Sequence, residues 1–283
     1  MCAERKGLFV IKISGFIARM LHFEDIANPQ LMHATPVIIR VDALKYNHFM
    51  ERVPEPYRDC CRRAWLDALR IMMDKITGAA LGYWQTDEIT IVMIDAASGS
   101  SWMNREAQRI SSVATSLITK HYNRLVLDAV NEQYSYMEHT ADTADEYQAM
   151  LNLMEKDNIL FHGLAYAVPS HEVVNVLMWR QQRAQGRVIQ RSLGKTHTQD
   201  EMNGKNLREL RQMLTAEDAD WKSRTTPEEL NGCVCYYEDN GELTLDRRIP
   251  NFADDKKYIT SKLFDRRGWL DAKGIAAESD EEL

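Results

Sequence analysis

The order of apolar and polar positions along the chain predicts short strands alternating with longer helices. Pro36 precedes a β-branched run, Val37-Ile38-Ile39-Arg40-Val41, which ends on Asp42. Such a run reads as a strand. Over 57–76, Cys61, Trp65, Leu69 and Met72 recur at steps of four, four and three. That spacing is one face of a helix, and Thr77-Gly78 ends it. Two more strand-like runs, 80–84 and 89–93, flank the polar segment Gln85-Thr86-Asp87-Glu88, a hairpin pattern. A loop at Ser98 to Ser101 leads to a second helix over about 104–122, with Ile110, Val113, Ala114 and Leu117 on one face. A polar, acidic stretch at about 131–158 reads as a partly helical insertion. The run 160–168 is a further strand, closed by Pro169.

Strand, helix, strand, strand, helix, strand is the split βαβ, ferredoxin-like order. It predicts an α+β fold, an antiparallel sheet with two helices on one face. Beyond it the pattern is mostly helical. Val173, Val174, Leu177 and Met178 mark a helix over about 170–192, and Leu207, Leu210 and Leu214 mark another. A late strand, 232–237, has a possible hairpin partner at Leu243-Thr244-Leu245, past Asn240-Gly241. The expected organisation is an N-terminal extension (1–22), a core domain (23–169, with the insertion), a helical C-terminal region (170–250) and a tail (251–283) whose acidic end frays.

Composition narrows the class. The 283 residues are 45% hydrophobic and 27% charged, which excludes a disordered or fibrous chain. The net charge of −7 announces no nucleic-acid binder, although a local basic face can hide in an acidic chain. Cys2, Cys60, Cys61, Cys233 and Cys235 are odd in number and form no C-x-x-C pair. Reduced thiols and a cytoplasmic location are the reading, rather than a disulfide framework or zinc ribbon. No apolar run is long enough to cross a membrane. The apolar stretch from Gly7 to Leu21 follows Arg5-Lys6, but Lys12 and Arg19 interrupt it. It reads as a strand or helix docked on the body rather than a signal peptide. The isolated histidines His22, His33, His121 and His197 read as surface or structural groups, and Trp179, beside Leu177 and Met178, reads as core.

The candidate chemistry is carboxylate chemistry. Asp42 leaves the first strand, and Asp87 and Glu88 lie on the hairpin of the next two. If these strands are neighbours, three acids converge at one sheet edge. Clustered acids repel unless a cation lies among them, and hard oxygen ligands suit Mg²⁺. The alternative is local: Asp42 caps the next segment and Asp87 serves the turn.

The stretch Pro36 to Asp42 resembles the opening strand of the tRNA-His guanylyltransferase family, and most of all the bacterial and phage guanylyltransferase-like 3′–5′ polymerases. Gly82-Tyr83-Trp84-Gln85-Thr86-Asp87-Glu88 matches its Gly-Tyr-x-Gln-Ser-Asp-Glu hairpin, and Trp179-Arg180-Gln181-Gln182 its Trp-Arg-Gln-Gln helix. Gly204-Lys205-Asn206, Leu210, Met213-Leu214, Trp221 and Gly232-Cys233-Val234 follow its C-terminal pattern in order. The resemblance spans about 23–236. It implies a polymerase palm at 23–169 and a nucleotidyltransferase that joins an NTP (GTP or ATP) to the 5′ end of tRNA. It implies two Mg²⁺ ions on Asp42, Asp87 and the backbone carbonyl of Ala43, with Glu88 as a further ligand. Nucleotide contacts are implied at Ala43, Leu44, Lys45, Tyr46, Asn47, His48, Thr86 and Arg109. Exposed amides after Asp42 would receive the triphosphate. Family members are commonly dimers of dimers, so a homo-oligomer, dimer or tetramer, is implied.

The departures from the family pattern are specific. The family glycine after the first aspartate is Ala43, so the turn has negative φ or the loop is altered. The phosphate-binding arginine of Phe-Asp-x-Arg is Leu164, in Phe161-His162-Gly163-Leu164. Family Asp and Asn positions after the Trp-Arg-Gln-Gln helix are Arg183 and Arg187. These, with Arg180, Lys195 and Lys205, are the candidate RNA-binding residues; the other reading is a solvated arginine face. Three functions stay open: an active 3′–5′ nucleotidyltransferase, a diverged tRNA- or nucleotide-binding subunit, and a palm enzyme making a cyclic or oligonucleotide product.

Overall fold

A computed structural model describes residues 15–94 and 101–263. Cys2, the expected loop at Ser98 to Ser100 and the acidic end of the tail lie outside the described residues. Six strands form one sheet: β1 (Val37–Ala43), β2 (Ala79–Gln85), β3 (Glu88–Met93), β4 (Phe161–Ala167), β5 (Cys233–Tyr237) and β6 (Leu243–Asp246). Their order is β4-β1-β3-β2-β5-β6, and every neighbouring pair is antiparallel. The first four strands have the expected ferredoxin-like order. The late hairpin extends the same sheet rather than standing apart. The helices are α1 (Gly15–Ala27), α2 (Tyr46–Arg52), α3 (Arg58–Lys75), α4 (Ala107–Ser135), α5 (Ala141–Lys156), α6 (Val173–Leu193), α7 (Gln199–Met202), α8 (Leu207–Glu217), α9 (Trp221–Arg224), α10 (Pro227–Asn231) and α11 (Lys256–Leu263).

Side chains alternate across a strand, and β1 sorts its own accordingly. Val37, Ile39 and Val41 join the core under α3 and α4, with Trp65, Leu69, Ile110 and Tyr122. Ile38 faces the other way, with Val92, Leu81 and Tyr83, against Val173 and Leu177 of α6 and Ile259 and Leu263 of α11. Arg40 and Asp42 share the parity of Ile38, so they lie on the α6 side. The C-terminal part thus closes the second face of the palm sheet. A third cluster around Ile189, Leu193, Leu210, Leu214 and Trp221 packs α6 against the short C-terminal helices.

Three boundary expectations change. The second long helix does not stop near Tyr122, because Val126 and Val130 continue its buried face at the same spacing of four. The acidic stretch is not a loose insertion. It is the end of α4 plus α5, which a Thr140–Thr143 capping box starts and Met150, Leu153 and Met154 anchor. The tail from 251 is structural through 263, because Phe252, Ile259 and Leu263 are buried. Of the expected N-terminal element, Gly7 to Ser14 lie outside the described residues; the rest is helical from Gly15, with Phe16, Phe23 and Ile26 of α1 exposed.

Candidate active site

The end of β1 and the β2–β3 turn meet at one edge of the sheet. Asp42 pairs in register with Glu88 on one side and with His162 on the other. The amide of Ala43 donates to the carbonyl of Asp87 at 2.8 Å, tying the strand end to the hairpin tip. The turn is two residues, Thr86-Asp87, between paired Gln85 and Glu88. Thr86 has φ of 56°, where a β-branched residue is strained by about 1–2 kcal/mol. Its hydroxyl donates to Asp87 Oδ1 at 2.8 Å, so the strained residue also orients the carboxylate.

Ala43 finishes β1 as a strand residue. The left-handed position that the family glycine suggested falls instead on Lys45, with φ of 54°. The amides of Ala43 and Leu44 donate to the carbonyls of Asp87 and Leu160, each at 2.8 Å. Two of the amides expected to receive a triphosphate are therefore already spent. Tyr46 is withdrawn too: its ring packs on Trp65, Tyr122 donates to its hydroxyl at 3.2 Å, and burial pushes its phenol far up. Lys45, Asn47 and His48 are exposed. Arg109 is not brought to this edge. It sits beside Glu106 at 3.6 Å, in a cleft with Glu24, Asn28 and Gln30, on the helix that packs the other face.

Each carboxylate has an arginine. Arg40 reaches Asp42 Oδ1 at 3.1 Å, and His162 Nδ1 lies 3.3 Å from the same oxygen. Arg187 reaches Asp87 Oδ1 at 3.3 Å and Thr86 Oγ1 at 3.4 Å. Arg180 binds Glu88 with both guanidinium arms, Nε to Oε1 at 2.6 Å and Nη2 to Oε2. That last pair is buried, with both side chains under 10% exposed. The Nε atoms of Arg40 and Arg187 are buried without an acceptor. Both arginines meet their carboxylates through Nη2 and leave the buried Nε–H unused.

The Trp-Arg-Gln-Gln helix now has a physical account. Arg180 neutralises Glu88. Gln181 donates to the carbonyls of Asn231 and Pro250, each at 3.1 Å, and accepts from the amide of Phe252 at 2.7 Å. On β2, Tyr83 OH lies 2.8 Å from Gln85 Oε1 and 2.9 Å from the carbonyl of Asn231. Burial pushes the Tyr83 phenol well above its usual range, and Glu88 adds to this, so it remains a donor. These bonds lock α6 over the carboxylates.

Of the five residues expected to meet RNA, Arg183, Lys195 and Lys205 are exposed. Arg180 is buried on Glu88, and Arg187 is half-buried on Asp87. Trp179 is not core: it is 48% exposed. The sequence reading placed it by its apolar neighbours, but one helical step of 100° separates it from buried Arg180. Sequence reasoning also missed Arg40, although period-two alternation puts it on the face of Asp42. It missed Arg191, which donates to Asn47 Oδ1 at 2.6 Å.

A hard cation would find oxygen donors here in Asp42 and Asp87, which are 28% and 21% exposed. The three acids are not gathered as one set: among the described residues no group of three or more His, Cys, Asp or Glu side chains is arranged to hold a metal ion. Glu88 turns to Arg180 instead. No described helix is long and apolar enough to cross a membrane.

A family model for tRNAHis guanylyltransferase matches residues 17–154. Comparison with curated proteins gives no match. Among solved structures, a bacterial tRNA(His) guanylyltransferase-like protein in complex with ATP is 23% identical over 88% of this chain and 100% of its own, with a TM-score of 0.68. Such a protein in complex with GTP is 22% identical over the same shares, with a TM-score of 0.62. The tRNA(His) guanylyltransferase from Saccharomyces cerevisiae is 13% identical over 81% of this chain and 95% of its own, at 0.52. At these identities the structural likeness shows a shared, palm-like fold. The family match runs from α1 into α5 and takes in β1, β2 and β3, with Asp42, Asp87 and Glu88: over this stretch the chain is similar to the tRNAHis guanylyltransferase family.

Proposed function

We propose that this protein is a Mg²⁺-dependent 3′–5′ nucleotidyltransferase that adds nucleotides to the 5′ end of tRNA or a tRNA-like RNA. The observation that carries the reading is the pair Asp42 and Asp87, part-exposed and joined through the Ala43–Asp87 backbone bond. Asp42, Asp87 and the carbonyl of Ala43 would hold the cations. Bound there, Mg²⁺ lowers the pKa of the attacking 3′-hydroxyl and neutralises phosphate charge. Glu88 is a positioning residue in this proposal, since its two oxygens are engaged by Arg180. Arg40 and Arg187, whose side chains are part-exposed beside the two aspartates, hold phosphate oxygens, and Arg187 supplies the charge missing at Leu164. Lys45 takes the triphosphate where the Ala43 and Leu44 amides cannot. The nucleotide is an NTP, as the ATP and GTP complexes of the structural relatives suggest. The apolar residues left uncovered on α1 support assembly into a homo-oligomer.

The second reading, a diverged binding subunit, is favoured by the arginines on the carboxylates. Paired acids do not need a cation to coexist, so their retention alone does not argue for metal. The test is nucleotide addition to a 5′-truncated tRNA with labelled NTPs and Mg²⁺. Template-dependent extension by the wild type, reduced about a hundredfold or more in Asp42→Ala, supports the polymerase. Tight RNA binding without extension of any tRNA supports the binding subunit.

A further inference from the structure

Helix α6 has an unusual charge pattern for this chain. Its 21 residues hold four arginines and no acidic residue, in a protein with 42 acidic and 35 basic residues. Trp179, Arg183, Arg187 and Arg191 follow one another at steps of four, which makes them one continuous ridge on a helix. Trp179, Arg183 and Arg191 are exposed, and Arg187 is half-buried. The Arg183 guanidinium lies 5.6 Å from the centre of the Trp179 ring. Arg180, anchored on Glu88, lies 4.8 Å from it on the same helix. The ring is therefore positioned by the buried ion pair while almost half of its surface faces solvent.

The direction of the ridge follows from its contacts. Gln181 and Gln185 point to Asn231 beside β5. Trp179 lies about 200° around the helix from Gln181, so it faces the other flank, toward the β1–β4 side. There β4 exposes His162 and Leu164. The ridge then passes Asp87 through Arg187 and ends at the first turn of α2 through Arg191 and Asn47. From Trp179 to Arg191 the rise is about 18 Å, or about 6 Å per arginine. That repeat resembles the spacing of successive phosphates in an extended strand, and the track is too long for one mononucleotide.

We propose that this ridge is a binding track for a single-stranded segment of RNA. Trp179 stacks on an unpaired base, and Arg183, Arg187 and Arg191 follow the phosphates toward Asp42 and Asp87. Aromatic stacking joined to a basic groove is how single strands are held without sequence readout. The inference rests on the nucleotidyltransferase reading and deepens it: it names the RNA form the site accepts.

The test measures affinity by fluorescence anisotropy for three probes: a labelled single-stranded RNA, a blunt RNA duplex and labelled ATP. Trp179→Ala is expected to weaken the single strand about tenfold, the loss of one stacked base, with duplex and ATP unchanged. Trp179→Phe should recover most of that loss, which a role in folding alone would not predict. Arg183→Gln with Arg191→Gln should flatten the salt dependence of single-strand binding by between one and two units of slope. Equal single-strand affinity for wild type and Trp179→Ala overturns the track. So does an equal loss for ATP and single strand, which would make Trp179 a mononucleotide contact. Extension of a truncated tRNA by the same proteins separates the two ideas. Extension with an unchanged Trp179→Ala variant sinks the track alone, and a Trp179-dependent single strand without extension sinks the polymerase alone.

Discussion

Glu88 is the carboxylate whose surroundings differ most from what the sequence suggests, because it is paired with Arg180. Arg180 donates to both of its oxygens, so a cation there would share them with the guanidinium. The two assignments predict different variants. In a buried ion pair, removing one partner strands the other charge and costs about 3–5 kcal/mol. Glu88→Gln and Arg180→Met should therefore each lower the unfolding free energy by about that much in urea melts. Glu88→Leu with Arg180→Met should recover most of it, since replacing both partners with apolar groups is often near neutral. A Glu88→Gln protein with wild-type stability and no activity would return Glu88 to the metal. The sequence could supply the residue types here but not their pairing: Glu88 and Arg180 are 92 positions apart. Nor could it settle Ala43, because whether that residue or Lys45 takes positive φ depends on where β1 stops.

At the scale of elements, periodicity carried far. All six strands and the buried faces of α3, α6 and α8 lie where the pattern put them. The errors fell where burial is sparse. The second half of α4 commits only one residue per turn to the core, and α5 buries only Met150, Leu153 and Met154 toward its end, which reads locally as a polar insertion. One element-level constraint was not visible at all. Gly163 of β4 lies against α4, and a Cβ there would run into the Thr115 hydroxyl and come within 2.8 Å of the Ser111 carbonyl. Thr115 is itself fixed, donating to that carbonyl at 2.6 Å. Gly163→Ala should therefore push β4 away from the helix and cost about 1–3 kcal/mol. Because β4 also holds His162 beside Asp42, single-strand or nucleotide affinity should fall with stability. Thr115→Ala in the same chain should restore only part of either, since the backbone carbonyl stays. A Gly163→Ala protein that melts like the wild type would show that β4 can shift freely.

The thiols report on the molecule as a whole. Cys60 and Cys61 lie on α3, Cys233 and Cys235 on β5, and all four are free and buried in the core shared by helices and sheet. That agrees with the reading from odd count and spacing, although the compartment itself was inferred only from chemistry. Burial pushes Cys61, Cys233 and Cys235 each from 9.0 up to about 12. In the unfolded chain the same thiols ionise near 9, so above that pH the unfolded state binds fewer protons than the folded one. Stability then falls as pH rises, by about 1.4 kcal/mol per thiol per unit, until the folded values are reached. Three such groups make about 4 kcal/mol between pH 8 and pH 10, a large part of a typical margin of 5–15 kcal/mol. Urea melts at unit steps from pH 7 should show a plateau to about 8 and then this decline. Cys233→Ala with Cys235→Ala should make the decline shallower by about 1.4 kcal/mol per unit for each thiol removed, whatever the cavities cost at neutral pH. A flat profile to pH 10 would mean that these thiols are not sealed in the folded state. Rapid alkylation of the native protein at pH 8 would say the same of the packing between α3 and β5, on which the β2–β3 hairpin and its Asp87 depend.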